Sequence, residues 1–225
     1  MNNIHPTAII DERVKLGDDN IILPYTIIYG PTDIGNNNII GPHVVIGTPG
    51  QDTRNPRYNS KDKKIIIGDN NIIREFTAIQ KPCYEDLTYI GSNVYLMQSV
   101  HIPHDAIISD NVVITPMVSL AGITKILKAA NIGMGATVAQ YLVIGQYSIV
   151  ATGAATIKNV KPFSKFIPNK IISVNDYAID KFGFEEYKEE IYQYVLNDVQ
   201  PKSQKIKIIV DEYQILHTNS GKGQY

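Results

Sequence analysis

Residues 90–114 read IGSNVYLMQSVHIPHDAIISDNVVI, and every sixth position, Ile90, Leu96, Ile102, Ile108 and Ile114, is aliphatic. The series runs on through Leu120, Ile126, Ile132, Val138 and Ile144 to Val150. Nearer the N-terminus it reappears at Ile4, Ile10, Leu16, Ile22, Ile28, Ile34, Ile40 and Ile46, with a short run at Ile67, Ile73 and Ile79. An α-helix would need a period of about 3.6, which is absent before residue 174. A period of six fits a parallel β-helix, in which each unit supplies one short strand and one corner and three units close a coil. Successive coils then stack at the strand spacing of about 4.8 Å. The fold class is an all-β solenoid.

The neighbours of the aliphatic position agree. Gly17, Gly35, Gly41, Gly47, Gly68, Gly91, Gly133 and Gly145 follow it directly. Four places after it stand small or branched residues such as Ala8, Val14, Thr26, Val94, Ala106, Val112, Ala130, Ala136 and Ser148. Two interruptions, residues 52–66 and 85–89, are out of phase with six and are expected as loops pushed out of the coil.

Composition narrows the function classes. A net charge of −1 gives no global field toward nucleic acid or anionic membrane. The run Lys158, Lys161, Lys165 and Lys170 reads as a solvated face. The single cysteine, Cys83, leaves no intrachain disulfide and fits a reducing compartment. No segment has the length and apolarity of a membrane span or the layout of a signal peptide, so a cytoplasmic protein is expected.

Counting units in threes puts those beginning at Ile46, Ile79, Ile102, Leu120 and Val138 on one face, with both loops leaving that face. The same count stacks Lys81, His104, Gly122 and Gln140 in one vertical file, and His101 in a second file with Ala78, Ser119 and Thr137. His101, His104 and Asp105 therefore sit beside the loops. A transition metal wants three or four converging ligands, and this file offers His104 a glycine and a glutamine above and a lysine below. No metal site is expected. Two readings stay open from the pattern alone: a base on a rigid wall facing a groove, or a polar corner.

The hexapeptide solenoid, "GTPGQDTRNPRY", "YLMQSVHIPHD", "SLAGI", "NIGMGATVAQY" and "NKIISVNDYAIDKFGF" together resemble the UDP-N-acetylglucosamine 3-O-acyltransferases of lipid A synthesis and related acyltransferases of nucleotide-linked amino sugars. The similarity covers residues 4–185. It implies a left-handed β-helix and a homotrimer with sites between subunits. It further implies transfer of an acyl group from a coenzyme A or acyl-carrier-protein thioester to a nucleotide-linked sugar, with no permanently bound cofactor. His104 matches the general base, Asp105 its supporting carboxylate and Gly122 the amide that receives charge on the thioester oxygen. Histidine, whose ordinary pKa is about 6.5, suits the base role near neutral pH. His101, Gln51, Asp52, Arg54, Lys81, Gln140, Asn175 and Lys181 complete the substrate-binding set.

The sequence also departs from that family. Ile123 and Ala139 stand where the lipid A enzymes carry histidines, Tyr177 and Phe182 where they carry a glutamate and an arginine, and Arg54 where a lysine is usual. These departures favour an amine rather than a hydroxyl at the sugar 3-position, with UDP-N-acetylglucosamine as the alternative acceptor. A metal-dependent hydratase on the same solenoid lacks the histidine spacing, and a silent trimeric scaffold remains the non-enzymatic alternative. For an acidic carrier the chain offers no landing patch beyond Lys125 and Lys128.

The domain boundary falls at 168/169. Residues 1–168 form the β-helix and 169–225 a helical extension, with Tyr187, Ile191 and Val195 on one helical face. Residues 204–217 favour helix, and the closing "TNSGKGQY" is expected to be disordered.

Overall fold

The computed structural model describes residues 1–55 and 58–225; Pro56 and Arg57, part of the first loop quoted above, lie outside the described residues. The repeat builds a left-handed parallel β-helix whose strands form three sheets of 10, 8 and 7 strands. We name them faces A, B and C in the order the chain visits them. The six-residue period appears directly in the register. On face B, Ile46 pairs with Ile79 and Ile79 with Ile102, His101 faces Ser119, and Leu120 pairs with Val138.

The aliphatic residue of each unit points inward, and Ile28, Ile46, Ile79, Ile102, Ile114 and Ile144 are completely buried in one continuous core. Three residues after it the chain turns in the left-handed region, as at Asn37, Asn70, Asp105, Ile123 and Tyr141. The glycines directly after the aliphatic residue serve a different end. A Cβ on Gly133 would lie 2.4 Å from the Thr152 backbone nitrogen, so this position is small because the next coil passes so close.

At the corner between faces C and A, a buried amide ladder replaces aliphatic packing in the lower coils. Asn20 Oδ1 accepts from the backbone and side-chain nitrogens of Asn38, Asn38 Oδ1 accepts from the Asn71 backbone N–H, and Asn71 Oδ1 from that of Val94. Each amide oxygen thus meets its partner one coil away, while the Asn71 side-chain nitrogen is buried without one among the described residues.

Two loop boundaries differ from the sequence reading. Lys64–Ile67 and Leu87–Ile90 are strands that pair with each other over four residues, so residues 64–66 and 87–89 belong to face C. Counting only the aliphatic step misses them because their strands start earlier, with Ile65 and Thr88 as additional buried residues.

Beyond Ser164–Phe166 the chain reverses into a short antiparallel strand, Ser173–Val174, and three helices follow: α1 (Asp176–Lys181), α2 (Lys188–Asn197) and α3 (Gln204–Ser220). Ile191 and Val195 are buried against Tyr147, Phe163, Phe184 and Val210. The closing residues, expected to be disordered, are instead docked. Residues 218–220 complete α3, and Gly221 caps it at φ +63°. Tyr225 then stacks on Phe166 with centroids 4.0 Å apart and accepts the Ile157 N–H on its hydroxyl. Asn159 and Gly223 bond through their backbones. Composition hid this, because one aromatic stack, a hydroxyl hydrogen bond and a backbone pairing outweigh a polar, glycine-containing tail. Among the described residues no helix is long and apolar enough to cross a membrane.

Candidate active site

The corner between faces B and C carries His104. Its Nδ1 lies 2.7 Å from Oδ2 of Asp105, whose side chain is fully buried. Asp105 sits at φ +61°, which turns its carboxylate back under the preceding loop. There it accepts the backbone N–H groups of Cys83, Tyr84 and Glu85 at 2.9–3.2 Å, while its own N–H donates to Thr88 Oγ1. The loop after Gln80 therefore clamps the carboxylate, and the carboxylate fixes the imidazole.

With Nδ1 turned to Asp105, Nε2 is the nitrogen presented toward the cavity. The ring lies flush on Gly122: a Cβ there would fall 2.3 Å from Cε1 and 2.5 Å from Nε2 of His104. Gly50 is constrained from the other side, where a Cβ would meet Cys83 Sγ at 2.1 Å and His104 Cβ at 2.9 Å. Tyr84 packs edge-on against the imidazole at 5.4 Å and donates its hydroxyl to Asp52 Oδ2 at 2.5 Å. That bond to a carboxylate, with burial and nearby acids, pushes the Tyr84 hydroxyl up to about 12, so it remains a donor at neutral pH.

A cavity of about 640 Å³ opens over this wall. Gln51, Asp52 and Arg54 from the first loop line it, with His101, His104 and Gly122 in the middle and Gln140 above. Burial, with the adjoining His104, keeps His101 below the ordinary histidine range, partly offset by the Leu120 backbone. Its Nε2 is buried without a partner among the described residues. Along the file, the Ala121 and Ile123 N–H groups are bound by the carbonyls of Val138 and His104, and the Gly122 N–H between them has no such partner among the described residues.

The structure brings His101, His104, Asp105, Gln51, Asp52, Arg54, Gly122 and Gln140 together, and leaves Lys81, Asn175 and Lys181 outside. Lys81 shares the file, but its ammonium turns to the Gly30 carbonyl and a separate cleft lined by Tyr58, Asn59 and Ser60. Burial lowers its pKa. Asn175 caps α1 and donates to the Tyr147 carbonyl at 2.7 Å; Lys181 lies over the rings of Tyr177 and Phe182. Ile123 and Ala139 do not line the cavity either. Ile123 faces a second cleft with Glu85, Lys125 and Tyr141, and Ala139 packs on the core.

Sequence reasoning missed Gln80 and Ser119 in the lining, Cys83, Tyr84, Glu85 and Thr88 around Asp105, and Gly50 against Cys83 and His104. Ser119 was available from the count, being the upper neighbour of His101; the loop residues were not, because the clamp uses backbone amides. Cys83, His104 and Asp105 bring their ligand atoms within 4.8 Å of one another. These groups are turned on each other: imidazole on carboxylate, carboxylate on three amides. The thiol is pushed up to about 11, chiefly by burial and then by Asp105. His104 and Asp105 are thus one hydrogen-bonded pair, with the Cys83 thiol beside it.

Residues 13–48 match the family model "Bacterial transferase hexapeptide (six repeats)". The acyl-[acyl-carrier-protein]–UDP-N-acetylglucosamine O-acyltransferase of Aliarcobacter butzleri is 38% identical over 192 residues, covering 76% of this chain and 73% of that protein. Its namesake from Syntrophobacter fumaroxidans is 32% identical over 204 residues, covering 80% and 78%. A crystal structure of a UDP-N-acetylglucosamine acyltransferase from Bacteroides fragilis superposes with a TM-score of 0.83 at 27% identity over 100% of this chain and 98% of that one. Relatives 38% and 32% identical over 76% and 80% of this chain, and a solenoid shared over its whole length, make the chain an acyltransferase of the UDP-N-acetylglucosamine O-acyltransferase family.

Proposed function

We propose that this acyltransferase moves an acyl group from a pantetheine thioester, carried by acyl carrier protein, to the 3-hydroxyl of UDP-N-acetylglucosamine, the first acylation of lipid A synthesis. One observation carries the reading: His104, held by the clamped Asp105 and pressed on Gly122, presents Nε2 into a cavity whose loop side is polar. Nε2 takes the hydroxyl proton as the sugar oxygen attacks the thioester carbonyl. Charge on the carbonyl oxygen is received by the Gly122 N–H, a kind of contact worth about 3 kcal/mol. Collapse of the tetrahedral adduct breaks the carbon–sulfur bond, and His104 returns the proton to the departing thiolate. Atoms and charge balance, leaving an ester, a thiol and neutral His104.

The hydroxyl reading is favoured over the amine reading because Ile123 and Ala139 lie outside the cavity, so these two departures remove no polar group from its wall. Relatives named for O-acylation of UDP-N-acetylglucosamine point the same way. The reaction belongs in the cytoplasm, where carrier-protein thioesters and nucleotide sugars meet.

The working unit in this reading is a homotrimer. Ile21, Ile39 and Ile72 form an outward apolar row on face A, each more than a third exposed. Beside it Tyr25, His43 and Phe76 stack at 5.0 and 5.3 Å along the corner between faces A and B, continued by exposed Met117 and Met134. Such a stripe fits burial against further copies of this chain. Asn175 and Lys181, remote from the cavity of their own chain, are then available to a neighbour's site.

Mass-spectrometric assay of the protein with acyl carrier protein thioesters, offered UDP-N-acetylglucosamine and UDP-linked 3-amino sugars, tests the reading. Ester formed on UDP-N-acetylglucosamine is expected. Amide formed on the amino sugars alone would overturn the choice of acceptor.

A further inference from the structure

The file that holds His104 does not stop at Gln140. Thr137 pairs with Ala155 and Val138 with Thr156, which places Lys158 one coil above Gln140 in the same corner position. Three coil steps separate it from His104, about 14 Å at the strand spacing. The docked tail brings a second cation to that place. Lys222 lies over the ring of Tyr141, the residue after Gln140, with its ammonium 5.6 Å from the centroid. Lys158 lies over the ring of Tyr225 at 5.7 Å, its stem running beside Gly223.

Among the described residues neither ammonium is in an ion pair. Both are steered by aromatic faces, a contact that fixes a cation without neutralising it. The cavity climbs toward them, from the loop residues Gln51 and Asp52 below His104 to Gln140 above. Polar loop side chains line its lower part, and the two unneutralised cations stand beyond its uppermost lining residue, Gln140: Lys158 one coil higher in the file and Lys222 over Tyr141, which borders the neighbouring cleft.

We infer that Lys158 and Lys222 form the binding site for the phosphate at the far end of the donor's pantetheine arm. The inference rests on the donor proposed above and deepens it. A pantetheine arm is about four peptide-like units long, roughly 14 Å by the reach of an extended chain. A thioester carbonyl beside His104 and Gly122 therefore sets its phosphate at the height of the two lysines. Coenzyme A and acyl carrier protein share that phosphate, so the site recognises the arm common to both donors. Neither lysine touches the reacting atoms; the pair sets where the thioester stops along the file.

Calorimetric titration with 4′-phosphopantetheine and with pantetheine, which lacks the phosphate, provides the test. The wild-type protein is expected to bind the phosphorylated arm about tenfold more tightly, as charge-assisted contacts to phosphate give. In Lys158→Gln/Lys222→Gln, which keeps the aliphatic stems, that preference is expected to fall below twofold while pantetheine binding is unchanged. Thermal melts of both proteins check that the tail stays docked. A preference that survives in the double variant overturns the site. Equal binding of the two probes by the wild type also overturns it and leaves the acyl-transfer reading standing. Binding of neither probe overturns the pantetheine donor itself, and the site with it. Repeating the titration with coenzyme A and with a holo-carrier protein separates the sources: equal losses support the phosphate, and a loss confined to the carrier protein overturns it in favour of a protein-docking role.

Discussion

Two corners of the same coil treat their polar residues in opposite ways. Between faces C and A, Asn36 N–H donates to Asp69, Asp69 N–H to Ser92 and Ser92 N–H to Asp110, while Asn20, Asn38 and Asn71 form a parallel ladder inside. These bonds run from rung to rung, so the side-chain oxygens are consumed in holding coils in register. Between faces B and C, the equivalent file of Lys81, His104, Gly122 and Gln140 makes no rung-to-rung side-chain bonds among the described residues. Its fixing comes from outside the repeat, from the backbone of the loop that clamps Asp105. A repeat that satisfies its own polar groups is a wall. One whose polar groups are held by an inserted loop presents a nitrogen, Nε2 of His104, to the cavity, where the proposed base acts.

The strongest way to test that contrast is to remove the base. His104→Ala is expected to cut kcat by about 10²–10⁴-fold in a protein with unchanged circular dichroism and melting temperature. Retention of more than a tenth of wild-type kcat would show that the file is only another wall. At the opposite corner the effect should move from rate to stability. Asn38→Ala removes the acceptor of the Asn71 N–H and the donor to Asn20 at a fully buried position, and is expected to cost about 2–3 kcal/mol in urea unfolding with kcat unchanged. A loss of rate without a loss of stability would reverse the assignment of the two corners.

Smaller effects sharpen the boundary of the site. Tyr84→Phe deletes the hydroxyl bonded to Asp52 and leaves the ring against His104, so KM for the sugar should rise about fivefold with little change in kcat. An equal fall in kcat at constant KM would place Asp52 in the chemical step. The smallest change is expected for Ile123→His with Ala139→His. Both positions lie outside the cavity lining, so kcat/KM on UDP-N-acetylglucosamine should shift by less than about threefold, within the range of surface substitutions. A large gain would mean that these positions do reach the acceptor.

Much of this is legible in the sequence. The step of six from Ile90 gave the three-face coil, and counting units in threes put His104 beneath Gly122 and Gln140 and beside the loops, as the strand register confirms. What remained hidden has a common physical cause. Periodicity reports where a residue sits, not where a long side chain ends, so Lys81 shares the file yet turns to the Gly30 carbonyl. Nor does it report backbone donors, which is why the three amides on Asp105 leave no trace in residue identity. Glycine illustrates the same limit. The conspicuous glycines mark close passage between coils, as Gly133 does, whereas the turns fall three residues after the aliphatic step and are made by Asp105, Ile123 and Tyr141.

The uniform rise of the coil makes length a counted quantity in this molecule. Inserting or deleting one whole turn above Gln140 would keep every inward residue inward and every corner a corner, and would translate the two upper cations by a single fixed increment relative to the base. A chain built this way changes reach in whole notches, as a ratchet does, and passes through no half-formed intermediate size. Its dimensions are therefore altered by duplication and loss of turns more readily than by point substitution, and a lineage with one turn more or fewer would differ in the span it measures before it differed in the chemistry at its base.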